Sequence, residues 1–185
     1  MAETLTGKLL VATPKLMDPN FARAVVLVIA HNAEGAFGVV LNRPLRQADL
    51  AEHVPGWAAL AAPPGVIFLG GPVEQVRALG IGSVSGAPEC AGWTPLDDHM
   101  GLVDLTKEPG DLDVRVDEVR VFTGYAGWGA GQLDGEIAED AWFVVDPRPG
   151  DAFTREPDGL WSTVLRRQPG KLAMYAHYPS DPSSN

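Results

Sequence analysis

Apolar residues fall in short blocks along this chain, separated by glycine, proline and asparagine. The block Ala24-Val25-Val26-Leu27-Val28-Ile29-Ala30 has no polar position. Continuous β-branched apolar residues of this kind predict a strand buried on both faces, since a half-solvated strand would alternate. His31-Asn32-Ala33-Glu34-Gly35 breaks the run, and residues 36–41 form a second apolar block. Two such blocks joined by a short Asn/Gly turn predict a β-hairpin. Upstream, residues 6–12 read as a first strand ended by Thr13-Pro14. Met17-Asp18-Pro19-Asn20-Phe21 is turn chemistry, because proline fixes its own backbone and Asp or Asn can accept from nearby amides.

Beyond the hairpin, Asn42-Arg43-Pro44 ends the strand. Residues 47–60 read as a helix with Ala48, Leu50, Ala51, Val54 and Trp57 at its apolar positions, interrupted at Pro55-Gly56. Residues 66–69 form a strand closed by Gly70-Gly71-Pro72. Residues 76–84 alternate enough for another strand, with Gly80 and Gly82 marking bulges or close approach. Residues 85–98 read as irregular loop, 101–105 as a short strand and 111–117 as a charged edge. Residues 119–123 read as a strand running into a glycine-rich turn. A helix is expected over 131–141 and a strand over 142–145. Asp158 is placed to cap a helix over 159–167. Residues 171–178 read as a last strand, and 178–185 as a polar tail. No internal repeat is visible, and residues 1–185 read as one α+β domain with hairpin-like strand pairs and about three helices.

Composition narrows the class. The chain has 185 residues and is 45% hydrophobic, enough for one sizeable core. Its 21 glycines and 16 prolines disfavour a helical bundle. The formal net charge of -10 opposes direct nucleic-acid binding, which rests on clustered Lys and Arg. Cys90 is the single cysteine, so no intrachain disulfide is expected. No apolar run approaches the ~18 residues of a membrane span. The first residues carry Lys8 and Lys15 and do not pattern as a signal peptide. The default expectation is a cytoplasmic protein without membrane attachment.

The stretch Phe122-Thr-Gly-Tyr-Ala-Gly-Trp-Gly-Ala-Gly-Gln132 carries the densest candidate chemistry. Glycines between a strand and a helix can bare amides that cradle an anion. The specific fingerprints fail: a dinucleotide motif begun at Gly127 meets Gln132 at its last glycine position, and no lysine supplies a P-loop. Asp134 and Glu136 would also repel a phosphate there. Two readings stay open. In one, the glycines let a turn pack tightly around Tyr125 and Trp128. In the other, bare backbone beside two aromatic rings forms a ligand surface, with Gly129, Gln132 and Glu136 at its border.

Other polar residues carry weaker signals. His31 can serve as a general base only with a partner in hydrogen-bond reach, and otherwise reads as a hairpin-end histidine bonded to backbone. Arg43 suits bidentate capture of a carboxylate or phosphate, or equally a structural ion pair. Asp97-Asp98-His99 lacks a second histidine at a ligating spacing, so no metal is expected. Gly82-Ser83-Val84-Ser85-Gly86 misses the nucleophile-elbow pattern. No catalytic triad, cofactor motif or reading helix is assigned.

The blocks LLVATPKLMDPNFARAVVLVIAHNAEGAFGVVLNRPL, FLGGPV and FTGYAGWGAGQLDGEIAEDAWFVV, in this order over most of the chain, resemble the YqgE/AlgH family of bacterial proteins. The resemblance implies an α+β fold with a mixed, largely antiparallel, partly barrel-like sheet. It carries no established catalytic residue; some members bear a transcriptional-regulator label. Three functional readings follow. The first is a ligand-binding or regulatory domain, with no catalytic residue and no cofactor, in which Asn42-Arg43, Gly70-Gly71 and the turn from Gly127 to Gln132 converge on one cleft. Its ligand is an unknown small molecule or protein partner. The second is a small hydrolase using Glu136 or His31. The third is a regulator acting through a protein partner.

Overall fold

The computed structural model of the chain describes residues 4–86 and 90–180. Its strands are β1 (Leu9–Ala12), β2 (Val25–Asn32), β3 (Gly35–Val40), β4 (Pro44–Asp49), β5 (Val66–Leu69), β6 (Val73–Val84), β7 (Trp93–Pro95), β8 (Met100–Val103), β9 (Val116–Gly129) and β10 (Trp142–Val145). Its helices are short: α1 (Leu50–His53), α2 (Gln132–Ala138), α3 (Leu160–Arg166) and α4 (Leu172–Tyr175). One curled sheet runs β10-β1-β2-β3-β9-β6-β8-β7, antiparallel throughout. Off this path, β5 pairs antiparallel with β4 and parallel with β9. The mixed, half-barrel α+β architecture expected from the sequence is the one observed.

The apolar blocks behave as their patterns require. Leu9 and Val11 of β1 and Leu27 and Ile29 of β2 face the inside of the curl, where α3 inserts Trp161, Val164 and Leu165. Leu10, Ala12, Val26 and Val28 face the opposite way, under α2 and Phe21. A strand clad on both sides can afford no alternation, hence the unbroken apolar run. A third core, around Trp57, Val119 and Val121, lies behind β6 and β9.

Strand β9, fourteen residues long, organises the molecule. It meets β3, β5 and β6 along its length. From Glu118 to Phe122 its even-numbered side chains point into the curl, and Tyr125 does so beyond Gly124, which sits at φ +70; Val116, before a register shift against β6, packs instead in the third core. A left-handed glycine that shifts the alternation by one residue is a bulge. The change of face brings Tyr125 and Gly127 to the mouth of the half-barrel.

Several sequence expectations are corrected. Residues 47–60 are not one helix. Residues 44–49 pair with β5, Asp49 caps the four-residue α1 by accepting the Ala51 N–H at 2.9 Å, and Pro55 starts a separate 3-10 segment, Pro55–Leu60. Proline lacks the N–H that would continue the helix. The 85–98 loop contains β7, recruited by β8. The expected edge at 111–117 becomes strand only from Val116. The expected strand at 171–178 contains the helix α4, whose Tyr175 packs on Phe143 with ring centroids 5.4 Å apart. The glycine-rich turn is not a turn up to Gly129, because its backbone is held in register with β3. Of the expected polar tail, residues 181–185 lie outside the described residues. Tyr178 is tied down, its carbonyl accepting from Arg23 Nη1 at 2.9 Å.

Candidate functional site

The glycines of the recurrent blocks divide by what a side chain would meet. At Gly71 a Cβ would stand 2.2 Å from the Tyr125 carbonyl, and at Gly70 and Gly124 the nearest obstacles are backbone oxygens at 2.4 Å. Those three let the chain before β6 cross hard against β9, and any larger residue forces backbone apart. Gly127 and Gly129 differ. A Cβ at Gly127 meets the edge of the Tyr125 ring at 3.4 Å and Val73 Cγ2 at 4.0 Å, and at Gly129 only Gln132 Oε1 at 3.9 Å. Neither has a positive φ, and both are exposed. Packing therefore demands glycine at 70, 71 and 124, but not at 127 or 129.

The bare face of Gly127 floors an open groove of about 850 Å³ at one mouth of the half-barrel. Phe37 and Tyr125 line it as an edge-to-face pair, centroids 5.9 Å apart. Leu79 and Ala78 of β6 and Asn32 and Glu34 of the β2–β3 turn form its sides. Glu74 and Arg77, 3.3 Å apart, stand on the rim. Between Val73 and Ala78, β6 advances five residues while β9 advances two, so Glu74–Arg77 protrude, with Val76 at 97% exposure. The sequence did not single out Phe37, Val73 or Leu79 as functional. Phe37 and Leu79 read as strand residues and Val73 as part of the segment after Gly70-Gly71-Pro72, and only the curl of the sheet brings the three to a mouth.

Trp128 borders this groove, but its indole belongs to another cluster. Its Nε1–H donates to Glu136 Oε2 at 2.9 Å, and so does Trp142 Nε1–H, at the same distance. Gln132 Nε2 donates to Glu136 Oε1 at 3.0 Å, while Gln132 Oε1 accepts the Gly129 N–H at 3.0 Å. Phe21 stacks on Trp128 and meets Trp142 edge-on. Three donors converge on one carboxylate, which makes Glu136 a strut between α2 and the sheet. His31 is likewise engaged: its Nδ1 accepts the Leu5 N–H at 3.1 Å, its ring is nearly buried, and Nε2 lies 3.8 Å from Asp134.

Asn42 and Arg43 point elsewhere. Asn42 Oδ1 accepts the Val25 N–H and its Nδ2 donates to the Arg23 carbonyl, both at 2.9 Å. Arg43 donates to the Ala22 carbonyl, and burial lowers its pKa. Together they clamp the loop around Arg23, whose φ is +57. The structure thus gathers Tyr125, Gly127 and Trp128 at the groove. Asn42, Arg43, Gly70, Gly71, Gly129, Gln132, Glu136 and His31 lie outside its lining.

At the other mouth, a cleft of about 450 Å³ is floored by Leu9, Leu27 and Leu41 and bordered by Asp97, Asp98, His99 and Glu118. Asp97 is spent on its turn, accepting from the His99 and Met100 N–H groups at 2.7 and 2.8 Å. Asp151 beside it is bound by Arg167 in a bidentate pair at 2.7 and 2.5 Å. Between the mouths lies Arg120, 1% exposed. It donates to the carbonyls of Ala152, Thr154, Ala62 and Pro63 and stacks on Phe68. Burial pushes its pKa down to about 10, with Glu118 opposing.

The AlgH-like family profile matches residues 9–173. A UPF0301 protein of Streptomyces avermitilis is 52% identical over 98% of this chain and 96% of its own length. UPF0301 proteins of Thermobifida fusca and Mycobacteroides abscessus are 44% and 42% identical. Among solved structures, the crystal structure of protein DIP2367 from Corynebacterium diphtheriae superposes with TM-score 0.86 at 31% identity, covering 93% of this chain and 91% of that one. The solution structure of the AlgH protein from Pseudomonas aeruginosa gives TM-score 0.69 at 28% identity, over 97% and 96%. No helix among the described residues is long and apolar enough to cross a membrane. With its sequence blocks, its curled sheet and the family profile in agreement, this chain belongs to the AlgH-like family.

Proposed function

We propose that this protein is a binding domain without catalysis of its own, and that its site is the groove at Gly127. A regulatory role in the cytoplasm, exerted through what the groove holds, fits this reading. The observation that carries it is the contrast between glycines. Gly70, Gly71 and Gly124 are required by the backbone packed against them, whereas Gly127 leaves a flat, solvent-open surface that nothing in the packing demands. Bare backbone beside an aromatic pair, with a few polar groups at the rim, is the composition of a ligand site.

Catalysis finds less support. The ionisable groups along the groove are Glu34, Glu74, Arg77 and Tyr125, and the first three stand on its exposed rim. The residues suited to acid–base chemistry, His31 and Glu136, spend their hydrogen bonds on Leu5 and on two indoles. Thermal unfolding against nucleotides, phosphorylated metabolites, carboxylates, aromatic metabolites and short peptides tests the reading. A ligand at a hundred times its dissociation constant adds about 2.7 kcal/mol, a rise of roughly 5–10 °C at this chain length. Gly127→Val, which fills the groove, is expected to abolish that rise. A stabilising ligand unaffected by Gly127→Val would remove the groove as the site.

A further inference from the structure

The groove runs beside an interrupted sheet edge. On its β3 side, β9 is paired out to Gly129. On its β6 side, pairing stops at Tyr125, opposite Val73. The chain before Val73 leaves the sheet at Pro72, and Gly71 lies against the Tyr125–Ala126 peptide. Residues 126–129 of β9 therefore have a strand neighbour on one side only. The Gly129 N–H is turned away from β3 and donated to the Gln132 side chain. Groups on one edge of an antiparallel strand recur every second residue. The N–H and C=O of Gly127 thus face the same open edge, next to the groove.

Four further features define what fits there. The surface at Gly127 is flat and flanked by the Tyr125 and Phe37 rings, which suits an aromatic side chain. Val73, which lines the groove at 36% exposure, gives the β6 lip an apolar contact for something longer than one ring. Glu34 on the opposite wall has no ion pair among the described residues, Glu74 shares the rim with Arg77, and the chain carries -10 overall. The groove is open along its length, whereas small-molecule sites enclose most of their ligand.

Resting on the binding function above, we propose that the groove takes an extended segment of a partner protein. The segment pairs by its main chain with Gly127, lays an aromatic side chain on the bare backbone beside Tyr125, and sets a neighbouring Lys or Arg against Glu34. This is strand addition at a sheet edge: main-chain bonds hold the segment and one pocket selects its side chain.

A library of randomised twelve-residue linear peptides, selected on the full chain, tests it. Enriched peptides are expected to share an aromatic residue adjacent to Lys or Arg. Gly127→Val is expected to weaken the best of them at least about ten-fold, and Glu34→Lys by several-fold. N-methylation of the peptide amide that meets the Gly127 carbonyl is expected to cost about ten-fold as well, while methylating its neighbours costs little. Far-UV circular dichroism and urea midpoints establish that both variants fold, and amide shifts at Tyr125 and Gly127 report the place of binding. Peptides that bind Gly127→Val equally well, that tolerate N-methylation at every position, or that fail to enrich overturn the inference. So does self-association of the chain that Gly127→Val breaks, which makes a second copy the occupant. A small ligand blocked by Gly127→Val while no peptide enriches would overturn the peptide and leave the binding function standing. Failure of both peptides and small ligands removes both.

Discussion

If Glu136 is a strut, replacing it should destabilise the fold and leave the groove intact. Its Oε2 accepts from Trp128 and Trp142, whose side chains are buried at 6% and 3% exposure, and its Oε1 accepts from Gln132. Glu136→Ala strands two indole donors, each costing about 1–3 kcal/mol when buried without a partner. Glu136 itself is only half-buried, so water can reach part of the space left, and the expected loss is about 3 kcal/mol. Glu136→Gln keeps one acceptor oxygen for the indoles, but hydrogen bonds to a charged group are about twice as strong as neutral ones. The new amide also faces the Gln132 amide donor to donor. A loss of about 2 kcal/mol follows for the conservative variant. Urea unfolding followed by tryptophan fluorescence measures both. With a slope near 2 kcal/mol per molar at this size, Glu136→Gln lowers the midpoint by about 1 M. A midpoint within about 0.2 M of wild type in both variants would refute the strut argument. So would loss of groove binding in a Glu136→Gln protein of unchanged stability.

Two further predictions rest on backbone space and on the buried cation. Gly71→Ala drives a Cβ to 2.2 Å from the Tyr125 carbonyl and should cost about 3 kcal/mol or more, while Gly127→Ala, with 3.4 Å to a ring edge, should stay within about 1 kcal/mol, both by urea denaturation. Equal losses would mean that the two glycines are not different in kind. Burial lowers the folded pKa of Arg120 to about 10, well below the usual guanidinium range, so above pH 10 the unfolded chain holds a proton that the folded one releases. Stability contributed at this site is therefore lower below pH 10 and rises as pH climbs above about 10. The stability difference between wild type and Arg120→Met should shift in favour of wild type between pH 9 and pH 11; a flat difference would contradict the burial argument.

The sequence exposed the strands whose burial is complete. An unbroken run such as Ala24–Ala30 admits few alternatives, and β2 appears with its hairpin partner where the pattern places them. It was less informative where short segments satisfy two periodicities at once. Residues 171–178 read as a strand, yet contain a helix whose Tyr175 packs on Phe143. The helix pattern over 47–60 gave way to β4 because β5 offered a partner that local propensity cannot anticipate. Pro55, read as the interruption of that helix, marks where the 3-10 segment begins.

By itself, the sequence determined the α+β class, the hairpin with its doubly buried first strand, and the family. Each of these is written in local pattern or in ordered blocks of residues. Only the tertiary structure decided which glycines the packing requires. Gly71 and Gly127 are the same letter in neighbouring motifs, but one has the Tyr125 carbonyl 2.2 Å from where a Cβ would stand and the other has open groove. The same holds for Trp128 and Glu136, which the sequence left as either site or scaffold. Their partners are brought together by the register of β9 and the docking of α2. Steric room and hydrogen-bond partners are set by chain segments far apart in sequence, and only the folded sheet brings those segments together.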